Sequence, residues 1–210
     1  MAEYTFYHNP MSRGWIASWA LTEVGADYEI VLVDWGAKPQ ALLDANPMGK
    51  VPTLVHHHGD HDHVITEAAA ICHYLATTHP DCGLLPDAHE AAAYYRWLFF
   101  AAGPVEAAVT ARSMGWEVAE DKIGMAGFGT YDLVVDTLDE WLAGHDHVCG
   151  DRFTMADVYV GSQVDWGLRF GSLPERASFS AYQERMQDRK VYKQAGEMNV
   201  ELHDEMSRDD

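Results

Sequence analysis

Asn46-Pro-Met-Gly-Lys-Val-Pro-Thr-Leu-Val55 is a turn that leads into a short apolar strand. Two prolines and a glycine mark the turn. A proline at a strand entrance adopts the cis peptide at a cost of only about 0.5 to 1 kcal/mol relative to trans. A cis bond before Pro52 would direct the backbone of Val51 outward, where its N–H and C=O can pair with a small peptide laid beside the sheet. The alternative is a turn that simply begins a strand.

Ile65-Thr-Glu-Ala-Ala-Ala-Ile71 lies downstream and places Glu67 at the start of a predicted helix. The backbone N–H groups at a helix N-terminus attract a carboxylate. An acidic side chain at the same turn accepts hydrogen bonds from an ammonium group. This helix start therefore offers complementary groups for a zwitterion, unless Glu67 serves only to complement the helix dipole.

The chain before residue 80 alternates strand and helix patterns. A short aromatic strand, an amphipathic helix that stops at Gly25 and a second strand give a βαβ unit, which implies a parallel strand pair. A short helix, two further strands and a last helix follow. The predicted order is βαβ-α-ββα, from strands at 4–7, 28–33, 53–55 and 64–65 and helices at 15–24, 40–45 and 67–78.

A proline-rich segment at 80–87 separates this first domain, 1–79, from a second part with no strand pattern. Helical periodicity dominates 88–210, and its helices need to pack on one another as a bundle. They are predicted at 88–114, 130–143, 154–169, 176–188 and 190–204. Thr154 and Asp157 form a candidate capping box before an apolar run.

Composition and charge exclude several classes of protein. The chain has 210 residues, 48% of them apolar, which is enough for a real core. A net charge of -19 argues against nucleic acid as a partner. No long apolar run or secretion signal is apparent, so no membrane association is expected. Three cysteines without paired spacing fit a reducing, cytoplasmic location.

Three motifs together resemble those of cytosolic glutathione S-transferases, of the bacterial serine- or cysteine-type. They are Asn46-Pro-x-Gly-Lys-Val-Pro-x-Leu54, Thr66-Glu-Ala-x-Ala-Ile71-x-x-Tyr74-Leu75 and Phe153-Thr-Met-Ala-Asp157. The resemblance implies a thioredoxin-like α/β domain followed by an all-α domain. It also implies a homodimer that conjugates glutathione to hydrophobic electrophiles in detoxification.

The resemblance assigns glutathione-site residues by position. Val51 beside cis-Pro52 would hold the cysteinyl backbone, and Glu67 with the main chain of Ala68 would hold the γ-glutamyl end. The glycyl carboxylate side would face Lys38 or Lys50. The family usually has serine where this chain has Ala68. Because that change removes a hydroxyl donor, a non-catalytic ligand-binding or regulatory protein remains an alternative.

The glutathione thiol must ionise before it attacks, and a hydrogen-bond donor stabilises the thiolate. Ser12 follows the first strand at the mouth of the first helix, where serine-type members of the family carry their thiol-facing residue. We therefore expect Ser12 to be this donor, although serine there is also a good N-cap. Tyr7, at the strand end, and Arg13, as a nearby cation, are the alternatives.

The electrophile pocket is predicted from aromatic and methionine side chains: Met11, Met114, Trp116 and Phe128. Residues of these types are more often part of ordinary core or interface packing. The sequence does not identify the electrophile. Glutathione-dependent dehalogenation, peroxide reduction or isomerisation would use the same first domain.

Five histidines occur between the third and fourth predicted strands, at positions 56, 57, 58, 61 and 63. Imidazole binds zinc, copper and nickel. We expect this segment to be a flexible hairpin tip, which would not hold ligands in a tetrahedral arrangement. The sequence therefore predicts no physiological metal.

Overall fold

The computed structural model describes residues 2–59 and 61–208. Its contacts divide the chain into two units. One unit comprises Met1–Gly83 together with Arg189–Asp210, and the other comprises Leu84–Asp188. Within the described ranges, no helix is both long and apolar enough to span a bilayer.

A four-stranded mixed sheet forms the centre of the first unit, with strand order β2-β1-β3-β4. Strand β1 runs parallel to β2 and antiparallel to β3, which in turn pairs antiparallel with β4. The strands are β1 (Tyr4–His8), β2 (Tyr28–Leu32), β3 (Thr53–His58) and β4 (His61–Thr66), and the helices are α1 (Gly14–Val24), α2 (Gln40–Ala45) and α3 (Ala68–Thr78). This order confirms the thioredoxin-like βαβ-α-ββα prediction.

Single residues and strand position explain where α1 ends and why β1 is buried. Gly25 ends α1 with a left-handed φ of 66°, which a glycine adopts without steric cost. All five residues of β1 are buried, as expected for a strand covered on both faces. Helices α1 and α3 pack on each other within this unit.

The last helix, α9 (Lys190–Met206), belongs to the first unit and packs on α1. The ring of Tyr192 meets Trp15 and Trp19 edge-on, with centroids 5.3 and 5.0 Å apart. Arg189 donates to both carboxylate oxygens of Glu23, at 2.9 and 2.8 Å. This differs from the expected helical domain over 88–210, because the apolar side of α9 is covered by tryptophans of α1.

The long secondary-structure elements of the second unit are all α-helices. They are α4 (Ala91–Phe100), α5 (Glu106–Ser113), α6 (Tyr131–Ala143), α7 (Met155–Arg169) and α8 (Ala177–Gln187). The single helix predicted over 88–114 is interrupted by a π-helical turn at Ala101–Val105. Pro104 lies in this turn, and its missing N–H disfavours regular α-helical bonding there.

The buried carboxylate of Asp157 accepts several hydrogen bonds within the second unit. Its carboxylate accepts from the backbone N–H of Thr154 and of Val148, both at 2.8 Å, and from the Tyr182 hydroxyl at 2.7 Å. The predicted partnership of Thr154 and Asp157 at the start of α7 is therefore present. The Thr154 hydroxyl also donates to it at 3.1 Å, so four donors compensate for burial of this carboxylate.

Candidate functional site

The segments that contain the predicted glutathione-site residues lie at the same end of the sheet. Tyr7, near the end of β1, pairs with Thr53 at the start of β3, and Thr53 pairs with Thr66 at the end of β4. The loop after β1, the turn before β3 and the start of α3 therefore adjoin one another. Strand register brings these segments together, although up to about sixty residues separate them along the chain.

The Val51–Pro52 peptide bond is cis. Pro52 is buried, and half-buried Val51 packs against the apolar cluster beneath it. The turn before it is held by Asn46, whose side-chain amide donates to Lys50 O at 3.1 Å and to the Thr53 hydroxyl at 3.0 Å. Sequence reasoning did not assign this role to Asn46. The Asn46-Pro47 pair followed by Gly49 is a sequence pattern typical of a turn stabilised by a side chain.

Glu67 immediately precedes α3 and has a positive φ of 64° with ψ of 115°. A non-glycine residue with such dihedrals is strained by about 1 to 3 kcal/mol, and such residues cluster at functional sites. The Glu67 side chain is exposed and does not cap α3. Ala68, the first residue of α3, is only 7% exposed. The N-terminal amides of α3 and the Glu67 carboxylate are thus neighbours at this end of the sheet.

Ser12 is half-buried in the loop between β1 and α1. Its hydroxyl donates to Asn9 O at 2.6 Å and accepts from the Gly14 N–H at 2.9 Å. The Ser12 hydroxyl therefore satisfies the first backbone N–H of α1, and Arg13 is the residue directly before the helix. Asn9 fastens the same loop to the sheet, because its side-chain amide donates to Val33 O at 2.9 Å.

His8 and Asn199 are site-supporting residues that sequence reasoning missed. His8 is fully buried, and its Nε2–H donates to Asn199 Oδ1 at 3.2 Å. Asn199 also donates to Pro10 O at 3.3 Å, so α9 holds the loop that carries Ser12. A methyl group added to Gly14 would collide with His8 Nδ1 and crowd Ser12 Oγ, which explains the glycine at this position. Because His8 and Asn199 are far apart in the sequence, no local pattern could have predicted their contact.

The two alternatives to Ser12 lie in different environments. Tyr7 is 7% exposed and belongs to an apolar cluster with Val33, Leu42 and Val55. Burial raises the pKa of Tyr7, with Glu29 and Asp44 adding to the effect. This position favours a packing role for Tyr7. Arg13 is exposed directly before α1.

The two candidate lysines lie at or near the turn before β3. Lys38 is half-buried and approaches Gly49, where an added methyl group would lie 3.3 Å from Lys38 Nζ. Gly49 has a φ of 58°, so both its conformation and this close approach favour glycine. Lys50 is exposed. Lys38 is thus the better placed cation over the turn.

The helical unit contains a cavity of about 420 Å³. Its lining includes Trp116, Phe128, Tyr131 and Arg112, and the Arg112 guanidinium lies 4.2 Å from the Tyr131 ring centroid. The structure therefore brings together two of the four residues predicted for the electrophile pocket. Met114 is 61% exposed and outside this lining, and Met11 belongs to the first unit.

The three cysteines are free. Cys72 is fully buried, and this burial raises the pKa of its thiol. Burial likewise raises the pKa of Cys149 to about 11. Since the thiolate is the reactive form, neither environment favours a nucleophilic cysteine.

Two family models match this chain. They are described as "Glutathione S-transferase, N-terminal domain", over residues 2–77, and "Glutathione S-transferase, C-terminal domain", over residues 105–189. Glutathione S-transferase 3 of Zea mays is 31% identical over 171 residues, which cover 75% of each chain.

Solved structures agree with these matches. A glutathione transferase from Methylococcus capsulatus is 27% identical with a TM-score of 0.75, over 94% of this chain and 98% of its own. A sphingomonad glutathione S-transferase complexed with glutathione is 26% identical with a TM-score of 0.73, over 93% of this chain and 98% of its own. With both domain models in the expected order and the sheet register described above, this chain belongs to the glutathione S-transferase family.

Proposed function

We propose that this chain is an active glutathione transferase that binds glutathione at the sheet end defined by Val51, Pro52 and Glu67. The pairing of Tyr7 with Thr53 and of Thr53 with Thr66 carries this proposal, because it brings together the segments that contain Ser12, Val51 and Glu67. The sphingomonad relative, whose structure contains glutathione, supports the choice of ligand.

Each part of glutathione has a chemically matched partner in this proposal. The backbone of Val51 pairs with the cysteinyl residue in the manner of an added strand. The amides that begin α3, including that of Ala68, bind the γ-glutamyl carboxylate, and Glu67 accepts from its ammonium group. Lys38 faces the glycyl carboxylate, with Lys50 as a more exposed second cation.

Ser12 is the proposed donor to the glutathione thiolate. Its hydroxyl now donates to Asn9 O, so it must rotate to reach a bound sulfur. The Gly14 N–H that Ser12 accepts lies at the N-terminus of α1, whose dipole favours negative charge nearby. In the conjugation step the sulfur forms a bond to the electrophilic carbon, and the leaving group departs with its electron pair.

The cavity lined by Trp116 and Phe128 is the proposed electrophile pocket. Its aromatic rings suit a flat apolar group, and Arg112 suits a polar or anionic substituent on that group. The proposal therefore excludes Met114, which lies outside the cavity lining.

The experiment that tests the function has two stages. Calorimetry measures binding of glutathione, with S-methylglutathione as a ligand that binds without a reactive thiol. Turnover is then measured with a chloronitrobenzene, a hydroperoxide and an epoxide. We expect saturable binding of both ligands and turnover of the chloronitrobenzene with glutathione only. Binding without turnover of any substrate would instead identify a ligand-carrying protein.

The proposal includes a cytoplasmic homodimer that acts in detoxification, as the family resemblance implies. Closed two-fold dimers are the commonest oligomers of soluble proteins. Sedimentation equilibrium measures the oligomeric state directly. A single species with the mass of one chain would contradict this part of the proposal.

A further inference from the structure

Four histidines share one face of the β3–β4 pair. In the register, His56 lies opposite His63 and His58 lies opposite His61. Directly opposed residues of an antiparallel pair, and residues two apart on one strand, point to the same side. The expectation of a flexible tip is wrong here, because β4 begins at His61 and places these residues in paired strands.

Three of the rings on this face are mutual neighbours. The centroids of His56 and His58 are 5.3 Å apart, those of His58 and His63 are 6.2 Å apart, and those of His56 and His63 are 6.4 Å apart. A tetrahedral ion with metal–nitrogen bonds of about 2.1 Å places the centroids of its imidazole ligands roughly 5 Å apart. His56 and His58 are thus close to that spacing, and His63 is more than an ångström too far from both.

Binding of an ion would require side-chain rotations to close the remaining distance. His58 and His63 are exposed, so their rings turn without disturbing the core. In the conformation seen, no three histidine, cysteine or carboxylate side chains of the described part of the chain converge tightly enough to hold an ion. Convergence therefore requires these two rings to move toward His56.

His56 has a polar partner of the kind that usually holds a metal-binding imidazole. It is 6% exposed, and its Nδ1 lies 2.7 Å from the Tyr74 hydroxyl. In metal sites the second nitrogen of a ligating imidazole is held by such a partner, which fixes the ring. The other nitrogen, Nε2, lies 3.4 Å from Glu3 Oε1, so an oxygen donor is close to the nitrogen that remains.

The net charge of the chain also favours binding of a cation. The chain carries a net charge of -19, which raises the local concentration of cations.

We propose that His56, His58 and His63 bind one zinc-type divalent ion, with Glu3 as the fourth ligand. The ion would join the two strands that lead to Pro52 and Glu67. Because only the folded hairpin holds the ligands together, binding would stabilise the folded state.

The test uses untagged protein and zinc chloride, followed by calorimetry and by thermal unfolding. We expect one ion bound per chain and a rise in Tm on zinc addition. The double variant H58A/H63A should lose both. His57→Ala is the matched control, because His57 lies on the opposite face and bonds to Asp62 at 2.8 Å. This control should retain both responses, and magnesium should give neither, since it prefers oxygen ligands.

A second variant tests the role of Tyr74. Tyr74→Phe removes the hydroxyl beside His56 Nδ1 and should weaken zinc binding by about tenfold. The proposal is overturned if zinc shows no saturable binding at micromolar concentration, or if H58A/H63A binds as tightly as the unaltered chain. Equal losses in His57→Ala and in H58A/H63A would also overturn it, since binding would then not depend on one face.

Discussion

Asn199 in α9 bonds to His8 at the end of β1, with its Oδ1 3.2 Å from His8 Nε2. The same side chain donates to Pro10 O at 3.3 Å. We expect Asn199→Ala to lower the free energy of unfolding by about 1 to 2 kcal/mol, because two partly buried polar groups lose their partner. Urea unfolding measures this change. Val200→Ala is the control, as Val200 is 60% exposed on the same helix, and equal losses in the two variants would contradict the prediction.

His8 predicts a specific loss of stability in acid. Burial lowers the pKa of His8 to about 4, with the Asn199 bond acting in the opposite direction. In the unfolded chain its pKa is about 6.5. As the pH falls below the unfolded value, the unfolded state takes up a proton first, so stability present near neutral pH is lost down to about pH 4.

The expected His8 contribution is a fall of about 2 kcal/mol in unfolding free energy between about pH 7 and about pH 5. Urea unfolding at both pH values checks this for the unaltered chain and for His8→Gln. The variant starts from lower stability but should show the smaller fall. Identical pH dependence in the two proteins would mean that His8 does not titrate on unfolding.

Ser12→Ala separates the hydrogen bond to the Gly14 N–H from a role in catalysis. Loss of the hydroxyl should lower kcat by at least about tenfold if Ser12 stabilises the thiolate, while glutathione KM changes little. Stability should also fall by about 1 kcal/mol, because the Gly14 N–H loses its acceptor. Ser12→Thr keeps a hydroxyl and should retain most of both. Unchanged turnover of Ser12→Ala would remove Ser12 from the mechanism.

Glu67 should show opposite effects on stability and on binding. Glu67→Gly relieves a positive φ of 64° and should raise the free energy of unfolding by about 1 kcal/mol. It should also weaken glutathione binding, because the carboxylate for the ammonium group is gone. Glu67→Ala is the matched variant that loses the carboxylate but keeps the strain. If both variants bind glutathione normally, Glu67 has no part in the site.

Trp116→Ala tests the cavity in the helical unit. We expect the KM for an aromatic electrophile to rise by roughly tenfold, because the variant loses apolar contact with the substrate. The affinity for glutathione should stay the same. Steady-state kinetics with each substrate varied in turn measures both. Met114→Ala is the control, since Met114 is exposed outside the cavity lining. A larger effect in Met114→Ala would place the electrophile elsewhere.

The residue pattern alone predicted the order of strands and helices over residues 1–79. The stop of α1 at Gly25 and the entry of β3 after Pro52 follow from backbone preferences of single residues. The capping bond at Thr154 is equally local. These features depend on neighbours within a few positions, so the sequence expresses them directly.

Strand register, burial and the placement of α9 required the folded chain. Four of the five histidines that the sequence suggested as a flexible loop lie on one face of a strand pair, because β4 begins at His61. Asn199 reached the loop of Ser12 only because α9 packs on α1. Such contacts join groups far apart in sequence, and the burial of large side chains such as Trp15 and Tyr192 determines which of them form.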